Sequence, residues 1–342
     1  MTNRFHGFRA GWIVLSALAA LVFAASCRRI PLYDPQSGVY LKLDIRLAID
    51  VDLSADIQVD GNPALENKVY GKTPEMVRVC FYDMQTHKLV SEEFLPPDGG
   101  FINIQAGTYD VVIYSLGTET TQVTGTETRA GSYAYTSNAG VKVKNIPTKA
   151  EGDDRLPKEV NVIHEPDHLF VGRMSGVVIP VHSEMDETLV LECEMRSLVE
   201  TYTFEVKYVE GAGNIQTADV YITGQAHLKY LWDERYLGPA CAIYFQSEID
   251  LEKGHLFSVF NTFGKFPNSE NHVFLNVLVT TGGGGKYQWV FDVTNQFDNP
   301  DNLGREIVIE DPIVVPEGGS GTGGFDPVVS DWDVEIIEIP LS

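Results

Sequence analysis

The chain has 342 residues, of which 25 are basic and 48 acidic, and its formal net charge at neutral pH is −23. This acidic balance argues against binding of nucleic acid, because phosphates must be neutralised by Lys and Arg side chains. It is typical of a protein surface that repels copies of itself, and the length predicts two domains.

The first residues predict an export signal. Arg4 and Arg9 precede an apolar run over residues 11–25, which is too short to span a bilayer comfortably and is typical of a secretory signal peptide. Small residues then lead into Cys27, an arrangement that resembles a bacterial lipobox, in which the cysteine is acylated and begins the mature chain. We predict cleavage between Ser26 and Cys27 and attachment to outer-membrane lipid through Cys27. Ordinary secretion is the alternative.

The mature chain begins with strand-like patterns. Residues 39–53 alternate apolar and polar side chains, the period-two pattern of a strand with one buried face. Residues 76–83 and 87–95 flank a short polar turn and predict a hairpin. Two further strands are hinged at residues 106–107, and the stretch rich in Thr, Ser and Gly over residues 118–139 predicts a long loop or a loosely ordered edge.

The second half continues as short apolar segments separated by turn-forming residues, a pattern that predicts strands. Residues 224–238 are the only helix candidate, and a Gly-rich tether over residues 316–327 precedes a last strand. The sequence therefore predicts an all-β chain of two β-sandwiches in series. The predicted divisions are a signal peptide (1–26), a lipidated linker (27–36), a first domain (37–160) and a second domain (161–342).

Residues 164–168 read His-Glu-Pro-Asp-His, a match to H-E-x-x-H. On a helix this spacing places two imidazoles on one side to bind zinc, with the Glu as the general base of a metalloprotease. Pro166 argues against that helix, because an internal proline costs about 3 kcal/mol or more and favours extended geometry at Glu165. Glu187 is only a nominal third ligand. We predict an extended lead-in to the second domain, without a metal or a catalytic residue.

Other motifs favour structural interpretations. The Gly-rich residues 280–285 lack the Lys-Ser/Thr of a phosphate-binding loop and predict a hairpin turn. Residues 298–304 gather side-chain oxygens that suit either calcium or an ordinary turn. A sugar-stacking platform or core packing remains open for three tryptophans, Trp232, Trp289 and Trp332. The odd count of mature cysteines gives no disulfide framework and predicts buried thiols at Cys80, Cys193 and Cys241.

Several short motifs, taken in order, resemble a known family. "CRRIPLYD" follows the lipobox, "GGFINIQAGTYDVVIYS" lies in the first half, and "HEPDHLFVG" lies at the junction. The second half contains "VFNTFGKFPN", "FDVTNQF" and "GGFDPVVSDWDVEI". Together these stretches are similar to the fimbrillin-like lipoproteins of Bacteroidetes, a group related to the anchor and minor subunits of type V pili.

The resemblance implies two tandem transthyretin-like, Greek-key β-sandwiches, attachment to an outer membrane through Cys27, and a non-enzymatic role in surface assembly or adhesion without a cofactor. It also implies pilus or adhesin subunits as partners, joined by strand complementation. Residues 39–53 and the last strand are candidates for exchange, and pairing within the chain is the alternative. An anchor is favoured over a shaft subunit, because Arg46 and Arg155 are only nominal sites for proteolytic release. A surface glycan-binding lipoprotein is the alternative function.

Overall fold

The computed structural model describes residues 38–48, 63–144, 159–181, 188–267, 272–317 and 333–337. Within these ranges there are 23 β-strands and two short α-helices, α1 (Pro63–Tyr70) and α2 (Thr294–Asp298). The predicted all-β class is confirmed. Neither helix in the described part of the chain is long and apolar enough to cross a membrane.

The first half of the chain contributes strands to two large sheets and one small sheet. In chain order these are β1 (Val39–Ala48), β2 (Val77–Asp83), β3 (Leu89–Leu95), β4 (Gly99–Ile104), β5 (Gly107–Ser115), β6 (Thr121–Thr124), β7 (Tyr133–Thr136), β8 (Asn138–Lys144), β9 (Glu159–Ile163), β10 (Phe170–Ile179) and β11 (Leu189–Ser197). The first large sheet has the order β3-β2-β5-β10-β11-β1-β4.

This first sheet curls into a sandwich. Its two edge strands, β3 and β4, are joined by only residues 96–98, so the edges must come together and the inner faces must pack on each other. The predicted alternation in β1 is confirmed, since Val39, Leu41 and Leu43 lie in the shared core while the residues between them point outward. Residues 49–53 of the predicted strand lie outside the described residues.

The remaining strands build most of the second sandwich and contribute to two small sheets. They are β12 (Glu200–Val206), β13 (Val209–Glu210), β14 (Ile215–Gln225), β15 (Leu228–Tyr230), β16 (Cys241–Gln246), β17 (Glu248–Asp250), β18 (His255–Thr262), β19 (Phe274–Thr281), β20 (Lys286–Asp292), β21 (Glu306–Ile309), β22 (Ile313–Val314) and β23 (Asp333–Ile337). The sheet β23-β20-β19-β14-β16-β9-β8 packs on the sheet β17-β18-β12-β21. Phe245 and Phe260 stack between them with ring centroids 4.7 Å apart.

The two large sheets do not follow the predicted domains 37–160 and 161–342. β8 and the start of β9 lie before residue 160 but pair in the second sandwich, whereas β10 and β11 lie after it and return to the first sheet. A charged stretch indicates an exposed segment, but the sheet that a strand joins depends on distant partners, which local composition does not reveal. The His-Glu-Pro-Asp-His segment consequently leads back into the first sandwich rather than into the second.

A small third sheet, β15-β7-β6, lies between the sandwiches. The predicted loop over residues 118–139 is wrong, because it contains β6, β7 and the start of β8. Its Thr and Tyr residues favour strands, and Ala134 between Tyr133 and Tyr135 is fully buried. The helix candidate at residues 224–238 instead contains the end of β14 and all of β15.

Candidate functional site

The predicted acylation and cleavage residues, Ser26 and Cys27, lie outside the described residues. The described chain begins at Gly38, eleven positions after Cys27, and β1 begins at the next residue. Acylation at Cys27 therefore stays a prediction from the sequence.

The His-Glu-Pro-Asp-His segment joins β9 to β10 without regular secondary structure, so it forms no helix, as Pro166 predicted. His164 is exposed, whereas His168 is buried. The ring of His168 is fixed on both sides: Nδ1 lies 2.7 Å from Ser197 Oγ, and Nε2 lies 3.0 Å from the carbonyl oxygen of Lys68. Burial lowers the pKa of His168, which favours a neutral ring that donates from Nε2.

Glu165, the would-be general base, is also held by the fold. Its Oε2 lies 3.0 Å from Nζ of Lys68, and its Oε1 accepts a hydrogen bond of 2.6 Å from the backbone N–H of Asn261. Burial raises the pKa of Glu165, although the Lys68 ammonium acts in the opposite direction. The groups that a zinc peptidase would direct at a metal and a water thus contact α1 and β18 instead.

Asp167 fixes the loop that precedes β6. Its carboxylate accepts hydrogen bonds from the backbone N–H groups of Glu119, Thr120 (3.1 Å) and Thr121 (2.7 Å), and from Thr120 Oγ1 (2.8 Å). Partial burial alone raises the pKa of Asp167, but these hydrogen bonds outweigh it and hold the pKa below its ordinary value. Asp167 therefore acts as an ionised acceptor for a loop.

Helix α1 completes this site, and sequence reasoning missed it. The carbonyl of Lys68 in its last turn accepts hydrogen bonds from His168 and from Asn261 Nδ2, which lies 3.0 Å away on β18. Because His168 leads into the first sandwich and β18 belongs to the second, α1 ties the two together. The available signal was Pro63, since proline is favoured at the first position of a helix.

These elements enclose a cleft of about 810 Å³, which we call the junction cleft. It is lined by α1 and the residues after it, by residues 115–120, by residues 164–168, and by Tyr244 and Asn261. Side chains of both charge signs face it, including Lys68 and Lys72 on one side and Glu119 on the other. The described residues that line the junction cleft come from elements of both sandwiches. Their hydrogen bonds hold these elements together as a rigid joint.

The remaining sequence candidates have structural positions. Cys80, Cys193 and Cys241 are free and buried, as predicted, and burial raises the pKa of Cys80 and Cys193 to about 11. Trp289 lies in the second core, and Trp232 packs under the guanidinium of Arg129 at 4.4 Å. These two tryptophans do not form a common sugar platform. Trp332 and Glu187 lie outside the described residues.

The two predicted loops also have clear geometry. The Gly-rich residues 280–285 connect the antiparallel strands β19 and β20, so the predicted hairpin is confirmed. In residues 298–304, Asp298 pairs with Lys265 at 2.6 Å, and Asn302 Oδ1 accepts the backbone N–H of Glu306 at 3.0 Å. These contacts are those of a turn that uses its own side-chain oxygens.

The candidate exchange strands both pair within the chain. β1 lies between β4 and β11, so both of its backbone edges are occupied. Among the described strands β23 pairs only with β20, in parallel, from Asp333 opposite Tyr287 to Ile337 opposite Phe291. β23 therefore forms one edge of the seven-stranded sheet, and β8 forms the other.

Comparison with known proteins agrees with this architecture. The model of a domain of unknown function, DUF5119, matches residues 65–239. A protein from Bacteroides ovatus named "Putative fimbrium anchoring subunit Fim4B" is 27% identical over 241 residues, which cover 70% of this chain and 60% of that protein. The chain thus spans about three fifths of the length of this curated relative.

A solved structure shares the fold. A crystal structure described as a putative adhesin from Bacteroides ovatus has a TM-score of 0.56 at 20% identity and covers 85% of this chain and 98% of that one. The fimbrial anchor protein Mfa2 from Porphyromonas gingivalis has a TM-score of 0.47 at 12% identity, with 80% and 90% covered. The predicted resemblance to fimbrial proteins is confirmed by the curated relative from Bacteroides ovatus.

Proposed function

The chain belongs to the DUF5119 family of domains of unknown function, and we propose that it is a lipid-anchored, non-enzymatic anchor or minor subunit of a fimbrium. The observation that carries this proposal is the 27% identity to the protein named as a fimbrium anchoring subunit. The β-sandwich architecture supports it, because sheet edges allow assembly through main-chain hydrogen bonds.

Attachment to the outer membrane is assigned to Cys27. Acyl chains on this cysteine would hold the protein on the bilayer, because each buried methylene group contributes about 0.8 kcal/mol. The apolar run before Cys27 supplies the export signal. The mature chain would then carry 23 basic and 48 acidic residues, which suits a protein held by lipid rather than by charge.

Assembly with pilus or adhesin subunits is assigned to the edges of the second sandwich. β23 is reached from Glu317 through residues 318–332 and pairs with β20 on one side. A strand from another subunit could take the place of β23 beside β20, or β23 could pair with another subunit. Such exchange keeps the number of main-chain hydrogen bonds unchanged, so its main cost in free energy is the entropy of association.

A role without catalysis is supported by the engagement of the residues that resemble an active site. Glu165 bonds to Lys68 and Asn261, and His168 bonds to Ser197 and Lys68. Each of these contacts positions an element of the fold. The alternative function, glycan binding for nutrient uptake, is distinguished from the fimbrial role by the partners that co-purify.

The first experiment tests the anchor. Cells that produce the chain are fed a clickable fatty acid, and labelling is compared among the wild type, Cys27→Ala and the matched control Arg28→Ala. We expect label on the wild type and the control and none on Cys27→Ala. Absence of label on the wild-type protein would contradict lipid anchoring.

The second experiment tests the partner. The wild-type protein is isolated from solubilised envelopes, and the co-purifying proteins are identified by mass spectrometry. We expect fimbrial subunits in stoichiometric or lower amounts. Bound glycan without any filament subunit would favour the alternative function instead.

A further inference from the structure

Exposed apolar side chains collect at one end of the first sandwich. Tyr40, Phe101 and Val178 are each about two thirds exposed (66%, 67% and 64%), and Val190 and Val181 are exposed to 48% and 37%. We call these five residues the apolar end. Large apolar side chains that are exposed together indicate an interaction surface rather than chance exposure.

The strand register places these residues at the same end. Phe101 on β4 and Val190 on β11 both lie directly opposite Lys42 on β1, so the three side chains form one row across the outer face. Tyr40 precedes this row by two positions and shares its face. β10 ends where β5 begins, so Val178 lies at the same end of the sandwich. Because β10 pairs with β11 only at its far end, Val178 does not extend the row on β1, β4 and β11.

Further along the same strands the outer face becomes charged. Asp44 lies opposite Glu192, and Arg46 lies opposite Glu194. Glu194 in turn pairs with Arg196 at 2.7 Å. The outer face therefore has an apolar end near the start of β1 and a charged end near the last residues of β1. A face that is in contact with water along its whole length would not require this difference.

The start of β1 is also where the chain arrives from Cys27. Only eleven positions separate Cys27 from Gly38, and a fully extended chain covers about 3.5 Å per residue, so the reach is about 40 Å at most. If Cys27 is acylated, the end of the sandwich that it leads into stays within that distance of the bilayer. Residues 38–39 bring the apolar end to that point.

We propose that the apolar end of the first sandwich rests on the surface of the bilayer that holds acylated Cys27, with Tyr40 and Phe101 in the headgroup region. This inference rests on the proposed lipid anchor. Aromatic side chains are enriched at membrane interfaces. In the structure the ammonium of Lys42 pairs with Asp44 at 2.8 Å, so a lipid phosphate would have to replace this carboxylate as its partner while the methylene groups of Lys42 stay beside the aromatic rings. The contact would fix the orientation of the protein, which a lipid tether alone leaves free.

The test uses the acylated full chain in vesicles of phosphatidylethanolamine and phosphatidylglycerol. A nitroxide is attached at Phe101→Cys or Tyr40→Cys, and its collisions with oxygen and with a water-soluble nickel chelate are measured by power saturation. Two matched controls carry the label at Glu194→Cys, on the charged end of the same face, and at Leu303→Cys, which replaces an exposed residue of the second sandwich. The native cysteines described in the structure are buried and should not react.

We expect nickel accessibility at positions 40 and 101 to be several-fold lower on vesicles than for the same labelled chain carrying Cys27→Ala in vesicle-free solution, while positions 194 and 303 stay unchanged. Equal nickel accessibility at positions 101 and 194 on floated, acylated protein would overturn the inference and leave the lipid anchor standing. Protection at position 101 that follows protein concentration without lipid would assign the face to a second copy and also overturn it. A wild type that is not acylated and does not float would overturn both.

Discussion

Asp167 shows how one carboxylate can hold a joint between two sandwiches. It lies in the crossing segment between β9 and β10, and it accepts four hydrogen bonds from three consecutive residues of the loop before β6. Hydrogen bonds to an ionised acceptor stabilise more than neutral ones. Loss of this carboxylate would leave several donors without a partner.

Replacement of Asp167 by Ala is expected to lower the free energy of unfolding by about 2–4 kcal/mol, because partly buried donors lose a charged acceptor. The matched control, Asp301→Ala, removes a carboxylate from an exposed turn and should change the free energy by less than about 0.5 kcal/mol. Urea unfolding followed by circular dichroism measures both. Equal effects of the two substitutions would show that the loop does not depend on Asp167.

The lowered pKa of Asp167 also predicts a pH dependence. Because the folded-state pKa lies below the unfolded value of about 3.9, the ionised carboxylate stabilises the fold above that value, and the contribution is lost as the pH falls through the folded-state pKa. Asp167→Asn cannot titrate, so its free energy of unfolding should fall less steeply below about pH 4. Parallel acid-unfolding curves for the wild type and Asp167→Asn would contradict this assignment.

The three buried thiols give a prediction that also reports on Cys27. Burial raises the pKa of Cys80 and Cys193 to about 11 and raises that of Cys241 as well. The folded, acylated protein should therefore show no thiol reactive towards Ellman's reagent at pH 8, and denaturation should release three. Four released thiols would mean that Cys27 carries no thioether.

At the scale of elements, the strands with strict alternation could be predicted and the joint could not. The buried Val39, Leu41 and Leu43 of β1 and the hairpin β2–β3 follow from apolar periodicity. The crossing of β8 and β9 into the second sandwich depends on partners about 80 residues away on β16, which no local pattern encodes.

The contacts of α1 that form the joint could not be predicted from the sequence for a related reason. α1 has eight residues and no strong amphipathic period, so its position depends on Lys68 meeting Glu165, His168 and Asn261. The H-E-x-x-H match drew attention to the correct segment for the wrong chemistry. Pro166 was informative because proline restricts the backbone regardless of tertiary context.

One glycine tests how β4 is held on β1. Gly99 has a φ of +102°, and a Cβ there would lie 1.9 Å from the carbonyl oxygen of Leu43. Gly99→Ala should therefore destabilise the protein by about 3 kcal/mol or more, since both strain and a backbone clash oppose it. Chemical denaturation measures the change.

Two further glycines separate strain from clash. Gly117 has a positive φ but nothing within 4 Å of an added Cβ, and Gly282 has open space without a positive φ. Gly117→Ala should cost about 1 kcal/mol, and Gly282→Ala should be within about 0.5 kcal/mol of the wild type. A Gly99→Ala effect no larger than that of Gly117→Ala would show that β1 and β4 separate easily.

At the scale of the whole molecule, the proposed tether and the proposed assembly edge lie on different sandwiches, which the joint connects. The N-terminal end of the first sandwich leads towards Cys27, whereas the edge strand β23 lies on the second sandwich. A fimbrial anchor must transmit force between its membrane tether and its partner subunits. The crossing strands and the contacts of α1 connect the two sandwiches at several places.

The anchoring role is tested in the bacterium that makes the protein, by substitution of Cys27→Ala on the chromosome. Filaments on cells are counted by electron microscopy, and filament subunits in the medium are measured by immunoblotting, with Arg28→Ala as the matched control. If the chain anchors a fimbrium through Cys27, the Cys27→Ala cells should be bare and their filament subunits should appear in the medium, while the control resembles the wild type. Filaments that remain attached to Cys27→Ala cells in wild-type number would refute the anchoring role.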